Sequence, residues 1–177
     1  MNPLSAYRLD VAWMTVHEFA AAHPHPFVVL SVAKALSPVD RTHGLTIDRM
    51  ILPGADGARP ASALDDYVVA PIKAVDSSRA NKEITVGCSS HCDIRINDAS
   101  VSKLHAYLVE RADGWHVKDA SSLIGTRVND EEPGAAPLQP GDRISIGLID
   151  LVFLMPSELY VLVRQLAKTG VAKQTSA

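Results

Sequence analysis

From Asp66 onward the chain breaks into short strand-like runs closed by turn residues, and this rhythm most constrains its fold. The runs are Tyr67–Ile72, Glu83–Gly87, Asp93–Ile96, Leu104–Glu110, Trp115–Lys118, Thr126–Asn129, Arg143–Ile146 and Ile149–Leu154. Between them lie Asn97-Asp98, Asp113-Gly114, Asn129-Asp130, Pro133-Gly134 and Pro140-Gly141-Asp142. Short runs at roughly 8–12-residue spacing, with turn chemistry between them, predict an antiparallel sandwich or barrel. No alternation of strand and helix suggests a parallel sheet.

The flanks read differently. Leu9, Trp13, Val16 and Ala20 recur at helical spacing, so the pattern predicts one helix over Ser5–Ala22, with Ser5 as its cap. His23-Pro24-His25-Pro26 ends it, because each proline pushes its predecessor out of the helical region; a surface role is expected for both histidines. Phe27–Ala33 is a short apolar run and reads as a buried strand. The Gly-, Pro- and Ala-rich stretch 53–63 reads as a linker. At the other end Pro156-Ser157-Glu158 opens a helix with an apolar stripe of Leu159, Val163 and Leu166, and a frayed tail follows Lys168. The expected organisation is an N-terminal helix–strand region and linker over 1–60, a β-sandwich over 61–155, and a helix and tail over 156–177.

Composition narrows the function. Seventeen basic and twenty acidic residues give a net charge of −3, which argues against nucleic acid, whose phosphates demand a concentrated basic surface. Cys88 and Cys92 are the only cysteines, too few for a disulfide framework. The N-terminus lacks the basic and apolar stretches of a signal peptide, and no window approaches the ~20 apolar residues that span a bilayer. The expected setting is the cytoplasm, and the alanine-rich, lysine-poor composition suggests a bacterial source. No cofactor is expected.

Three pieces of the β-rich region carry a more specific signal: Gly87-Cys88, closing the run EITVG; Ser102-Lys103-Leu104-His105; and Asp119–Asp130, which contains Gly125-Thr126 and Val128-Asn129. In order and spacing they resemble the forkhead-associated (FHA) domain, with its glycine-arginine, its Ser-x-x-His and its Asn-Gly-Thr-x-Val-Asn-Gly. The resemblance covers roughly residues 64–155. It implies a β-sandwich that binds a phosphothreonine peptide in the loops at one end, in signalling downstream of Ser/Thr kinases.

Carried over by position, the resemblance places Gly87, His105, Gly125 and Asn129 as structural residues. It places Cys88, Ser102, Lys103, Leu123, Ile124, Thr126 and Arg127 at the ligand end. Two of these depart from the pattern: Cys88 stands where the family has its arginine, and Ile124 where it has its asparagine. A phosphate dianion is best held by a guanidinium fork and charge-assisted donors, and an extended peptide by an amide. Neither a thiol nor an isoleucine side chain supplies these. The expectation is therefore a non-catalytic adaptor whose phosphothreonine recognition is weak or lost, with Lys103, Arg127 and Arg79 as the cations able to restore it. The acidic pairs Asp65-Asp66 and Glu131-Glu132 read as solvated loops.

Rival readings attach to the same residues. Cys88, His91 and Cys92 form C-x-x-H-C, a soft-metal pattern without the four ligands that zinc normally takes; drifted loop cysteines are the plainer reading, and no metal is expected. Ser102 and His105 suggest a nucleophile and base, yet no strained turn or oxyanion hole accompanies them. For the flanking helices two readings stand: docking with Phe27–Ala33 into one closed unit, or an oligomerisation surface made from Leu9, Trp13 and Leu166.

Overall fold

A computed structural model describes residues 1–31, 64, 67–74 and 83–171. The expected linker 53–63, Asp65-Asp66, Arg79 and the last residues of the tail lie outside the described residues.

Eleven strands occur among the described residues: β1 Asn2–Pro3, β2 Phe27–Ser31, β3 Tyr67–Pro71, β4 Glu83–Gly87, β5 Ile94–Arg95, β6 Ala106–Arg111, β7 Gly114–Asp119, β8 Thr126–Val128, β9 Ala135–Pro137, β10 Arg143–Ile146 and β11 Ile149–Leu154. The helical elements are a 3-10 turn Leu4–Tyr7, α1 Arg8–Trp13, α2 Val16–Ala22 and α3 Pro156–Val171. The strands form a six-stranded sheet, β1-β3-β2-β11-β10-β8, and a five-stranded sheet, β5-β4-β6-β7-β9. This is the expected sandwich with helical additions. One pairing departs from antiparallel order: β4 and β5 run parallel, with Val86 opposite Ile94 and Gly87 opposite Arg95.

The central strands β2, β3 and β11 of the six-stranded sheet are covered on both faces, so they read as near-continuous apolar runs rather than alternating ones. Val28, Ala70, Leu151 and Phe153 point into the sandwich, where they meet Ile84, Val86, Leu108 and Val117 of the other sheet. Their neighbours Phe27, Val29, Val69, Val152 and Leu154 point the opposite way and meet Leu4, Tyr7, Val11, Phe19, Leu159, Leu162 and Leu166. The molecule thus has three layers: helices, sheet, sheet. β2 lies in the middle of the six-stranded sheet, between β3 and β11. The N-terminal region therefore shares both cores with the strands from Tyr67 onward.

Several local expectations need correction. The single helix over Ser5–Ala22 is broken at Met14, whose backbone is extended, and restarts at a Thr15 capping box. The Thr15 hydroxyl accepts from the Glu18 amide at 3.3 Å, and the Thr15 amide donates to the Glu18 carboxylate at 2.7 Å. Ser5 caps nothing. Before the break the buried face is Leu4, Tyr7 and Val11, and after it Phe19, while Leu9 is 71% and Trp13 86% exposed on the opposite face of α1. His23 is not a free surface residue: Nε2 lies 2.9 Å from Asp10 Oδ2, and its ring lies 4.5 Å from that of Phe19 and 5.3 Å from that of Tyr7. The C-terminal helix runs on to Val171, and its predicted stripe of Leu159, Val163 and Leu166 is buried. β1 and β9 have no counterpart in the sequence pattern.

Candidate functional site

Four loops meet at one end of the sandwich: 88–93 after β4, 96–105 before β6, 120–125 before β8, and the β10–β11 turn at Gly147-Leu148. Gly87 lets the first two approach. A side chain there would collide with the Lys103 carbonyl and sit 3.0 Å from the Cys92 sulfur. The close contact is used: the amides of Cys88 and Ser89 donate to the carbonyls of Ser102 and Lys103 at 3.0 and 3.2 Å. Gly147 plays the same part against Ser100, whose hydroxyl accepts from the Leu148 amide at 3.0 Å.

His105 ties these loops together. It is fully buried. The Ser102 amide donates to its Nδ1 at 3.0 Å, so the ring proton resides on Nε2, which donates to the Gly125 carbonyl at 3.0 Å. The His105 carbonyl also accepts from the Ala120 amide at 2.9 Å. With both ring nitrogens engaged in backbone, His105 is braced into the fold and is not placed as a base for Ser102.

The 120–125 loop folds onto a carboxylate. Asp119 accepts from the Ser122 amide at 2.9 Å, the Ser122 hydroxyl at 2.6 Å and the Thr126 hydroxyl at 2.7 Å. Partial burial pushes the Asp119 carboxyl up, but these hydrogen bonds outweigh it, and the carboxyl ends below its ordinary value. The Ser122 hydroxyl accepts in turn from the Gly125 amide at 3.0 Å. Ser121 adopts a left-handed conformation with φ 59°, and Gly125 lies at φ 93° with the Glu132 carboxylate directly above its α-carbon.

This frame sorts the residues carried over from the sequence. Ser102 is half-buried, and its hydroxyl oxygen accepts from the Leu123 amide at 3.1 Å. Lys103 is exposed beside it. Leu123 is 90% exposed and Ile124 half-buried, so the loop tip is apolar. Cys88 packs against the sandwich core. Thr126 is buried with its hydroxyl committed to Asp119, and Arg127 lies 3.9 Å from the Glu132 carboxylate. Asn129 sits beyond the far end of β8, where its amide nitrogen donates to Asp142 at 2.8 Å and its oxygen accepts from the Arg143 amide at 3.0 Å.

The sequence does not single out Arg95. This exposed arginine on β5 donates from Nε to the Cys88 carbonyl at 3.2 Å, which sets a guanidinium beside the position where the family pattern has its arginine. The signal for it is the alternation in Ile94-Arg95-Ile96, two buried isoleucines flanking an outward residue. The Cys-x-x-His-Cys reading finds no support in geometry. Cys92 donates its thiol to the Lys103 carbonyl at 3.2 Å, His91 is exposed, and no group of three His, Cys, Asp or Glu side chains placed to hold a metal occurs among the described residues.

Residues 84–147 match the family model of the FHA domain. The chain carries an FHA domain. The glycogen accumulation regulator GarA of Mycobacterium tuberculosis is 36% identical over 102 residues, 57% of this chain and 62% of the relative. An oxoglutarate dehydrogenase inhibitor of Corynebacterium glutamicum is 41% identical over 70 residues, 40% of this chain and 49% of the relative. The second FHA domain of a Mycobacterium tuberculosis ABC transporter, solved by NMR, is 34% identical and covers 49% of this chain and 79% of that one, with a TM-score of 0.39. The chain spans about half to three-fifths of the length of these two curated relatives. Outside the matched residues lie β1, β2, β3 and β11 of the six-stranded sheet and the helices that cover its outer face.

Proposed function

We propose that this chain is a non-catalytic adaptor whose FHA domain binds a segment of a partner protein across the loop end formed by Cys88, Arg95, Ser102, Lys103, Leu123 and Ile124. The observation that carries the reading is the Ser102 hydroxyl. Its oxygen is engaged by the Leu123 amide, its own proton is left to donate outward, and Lys103 stands beside it. A hydroxyl donor next to a cation suits an anionic group on a peptide, and the exposed Leu123 suits an apolar side chain next to it.

Phosphothreonine recognition in this reading is weak. Cys88 is packed inward and Ile124 offers no amide, and each lost donor costs about 1.5–3 kcal/mol, roughly tenfold to a hundredfold in affinity. Arg127 is a weak replacement, because the Glu132 carboxylate 3.9 Å away offsets its charge. A working phosphothreonine reader is the second reading, and Arg95 favours it by holding a guanidinium at the Cys88 carbonyl. Two free, half-buried cysteines suit a reducing compartment, and the proposal places the chain in the bacterial cytoplasm.

Calorimetry with phosphothreonine peptide libraries and their unphosphorylated counterparts separates the readings. The adaptor reading expects binding that is little changed by removing the phosphate and is weakened by Leu123→Asp. Micromolar binding that requires the phosphate and disappears in Ser102→Ala or Arg95→Ala selects the phosphothreonine reader.

A further inference from the structure

A second surface lies on the helical layer, across the six-stranded sheet from the sandwich core. The α1–α2 break and the outer side of α3 border an open cleft of about 920 Å³. Val16 and Tyr160 line its apolar part, and Trp13 stands over it with 86% of its surface exposed. Trp13 does nothing for the fold, since α1 buries Val11 instead. An exposed tryptophan beside arginines is the composition of a recognition surface rather than of a solvated helix face.

Charge decides what the cleft fits. Its lining contributes Arg8, Arg164 and Lys168 and no carboxylate, on a chain whose net charge is −3. The walls are held in place before any partner arrives. Tyr160 donates to the Met14 carbonyl at 3.0 Å, pinning α3 to the helix break. Arg164 donates to the Tyr160 hydroxyl at 3.4 Å, with its guanidinium carbon 5.9 Å from the centre of that ring.

We propose that this cleft is a docking site for an acidic amphipathic segment of another protein, with its apolar side chains against Trp13, Val16 and Tyr160 and its carboxylates on Arg8, Arg164 and Lys168. Two other occupants fit the observations less well. A second copy related by a twofold axis would set the three cations against their own kind. A lipid surface is flat on this scale and leaves a recess unfilled, whereas a helix fills a groove.

The test uses the full chain and an amphipathic model helix of glutamate and leucine, with an otherwise identical glutamine and leucine helix as control. The glutamate helix is expected to shift the NMR amide signals of Ala12–Val16 and Tyr160–Lys168. It is also expected to move the Trp13 emission to the blue in a Trp115→Phe background. Binding should fall at least about tenfold for the glutamine helix and for the Arg164→Glu, Lys168→Glu double variant, as expected when charge-assisted contacts are lost. Both substituted residues are exposed, and an unchanged circular dichroism spectrum confirms the fold. The proposal is overturned by absent or non-saturable shifts, by shifts centred on the Cys88–Leu123 loops, or by equal binding of the glutamine helix. A dimer dispersed by Arg164→Glu in light scattering, or Trp13 burial in phosphatidylserine vesicles without binding to the peptide, overturns it in favour of the other occupants.

Discussion

The imidazole of His105 donates from Nε2 to the Gly125 carbonyl at 3.0 Å, joining two loops twenty residues apart in sequence. With Nδ1 taken by the Ser102 amide, this one buried side chain satisfies backbone groups from both loops. Replacement by alanine leaves a buried N–H and C=O without partners, and His105→Ala is expected to lose about 2–4 kcal/mol. Urea unfolding should show a lower midpoint, and hydrogen exchange should show faster exchange at the Ser102 and Leu123 amides.

Asp119 governs the neighbouring loop through charge-assisted hydrogen bonds, and its folded pKa lies below the unfolded one. The stability it contributes is therefore fully present above the unfolded value of about 3.9 and is lost as pH falls through the lower folded value. Asp119→Asn is expected to cost about 1.5–3 kcal/mol at neutral pH. Denaturation curves of the two proteins, collected from neutral pH into acid, should converge at the acid end.

Gly87 and Gly114 make a contrast between packing and backbone strain. An added methyl at Gly87 meets the Lys103 carbonyl, whereas at Gly114 it meets nothing within 4 Å but must adopt φ 125°. Gly87→Ala should destabilise by about 1–3 kcal/mol and disturb the Cys88–Ser102 and Ser89–Lys103 hydrogen bonds. In Gly114→Ala those loop signals should stay in place in amide spectra, with only the β6–β7 turn affected.

Burial, reinforced by the Asp93 charge, pushes the Cys92 thiol up. The thiolate is the reactive form, so Cys92 should react with iodoacetamide at neutral pH more slowly than a free cysteine. Peptide mass spectrometry should find this protection removed in urea. A native rate equal to that of free cysteine contradicts the packing of Cys92 against Lys103.

The helical layer should unfold with the sandwich. Leu162 is buried between α3 and the six-stranded sheet, and Leu162→Ala is expected to cost about 2–5 kcal/mol in a single transition. Trp13→Ala, at an exposed position, should stay within about 0.5 kcal/mol of the parent. Thermal melts followed by far-ultraviolet circular dichroism and by tryptophan emission should coincide; separate transitions would show two independent units.

What the sequence determined by itself is local. Turn residues between short apolar runs placed β10 and β11 at their observed bounds and located most of the remaining strands, because a strand's length and its turns are written in neighbouring residues. Gly87, Ser102, His105 and Gly125-Thr126, in that order, identified the sandwich and its loop end. The capping pattern Thr15-Val16-His17-Glu18 was equally local, and it marks the break that the periodicity of Leu9, Trp13 and Val16 conceals.

What only the tertiary structure decided is which surfaces meet. Phe27–Ser31 occupies the centre of a sheet whose strands, apart from β1, follow more than thirty residues later, and no local pattern specifies that neighbour. β1 and β9 are two and three residues long, too short to carry a period, and exist by pairing with β3 and β7. The parallel pairing of β4 with β5 brings Arg95 to Cys88. Trp13 reads as core in a helical wheel and stands exposed because packing turns the opposite face of α1, with Tyr7 and Val11, inward. Apolar spacing states that a residue has a face to bury; the partner across the sheet or the groove decides whether that face is buried.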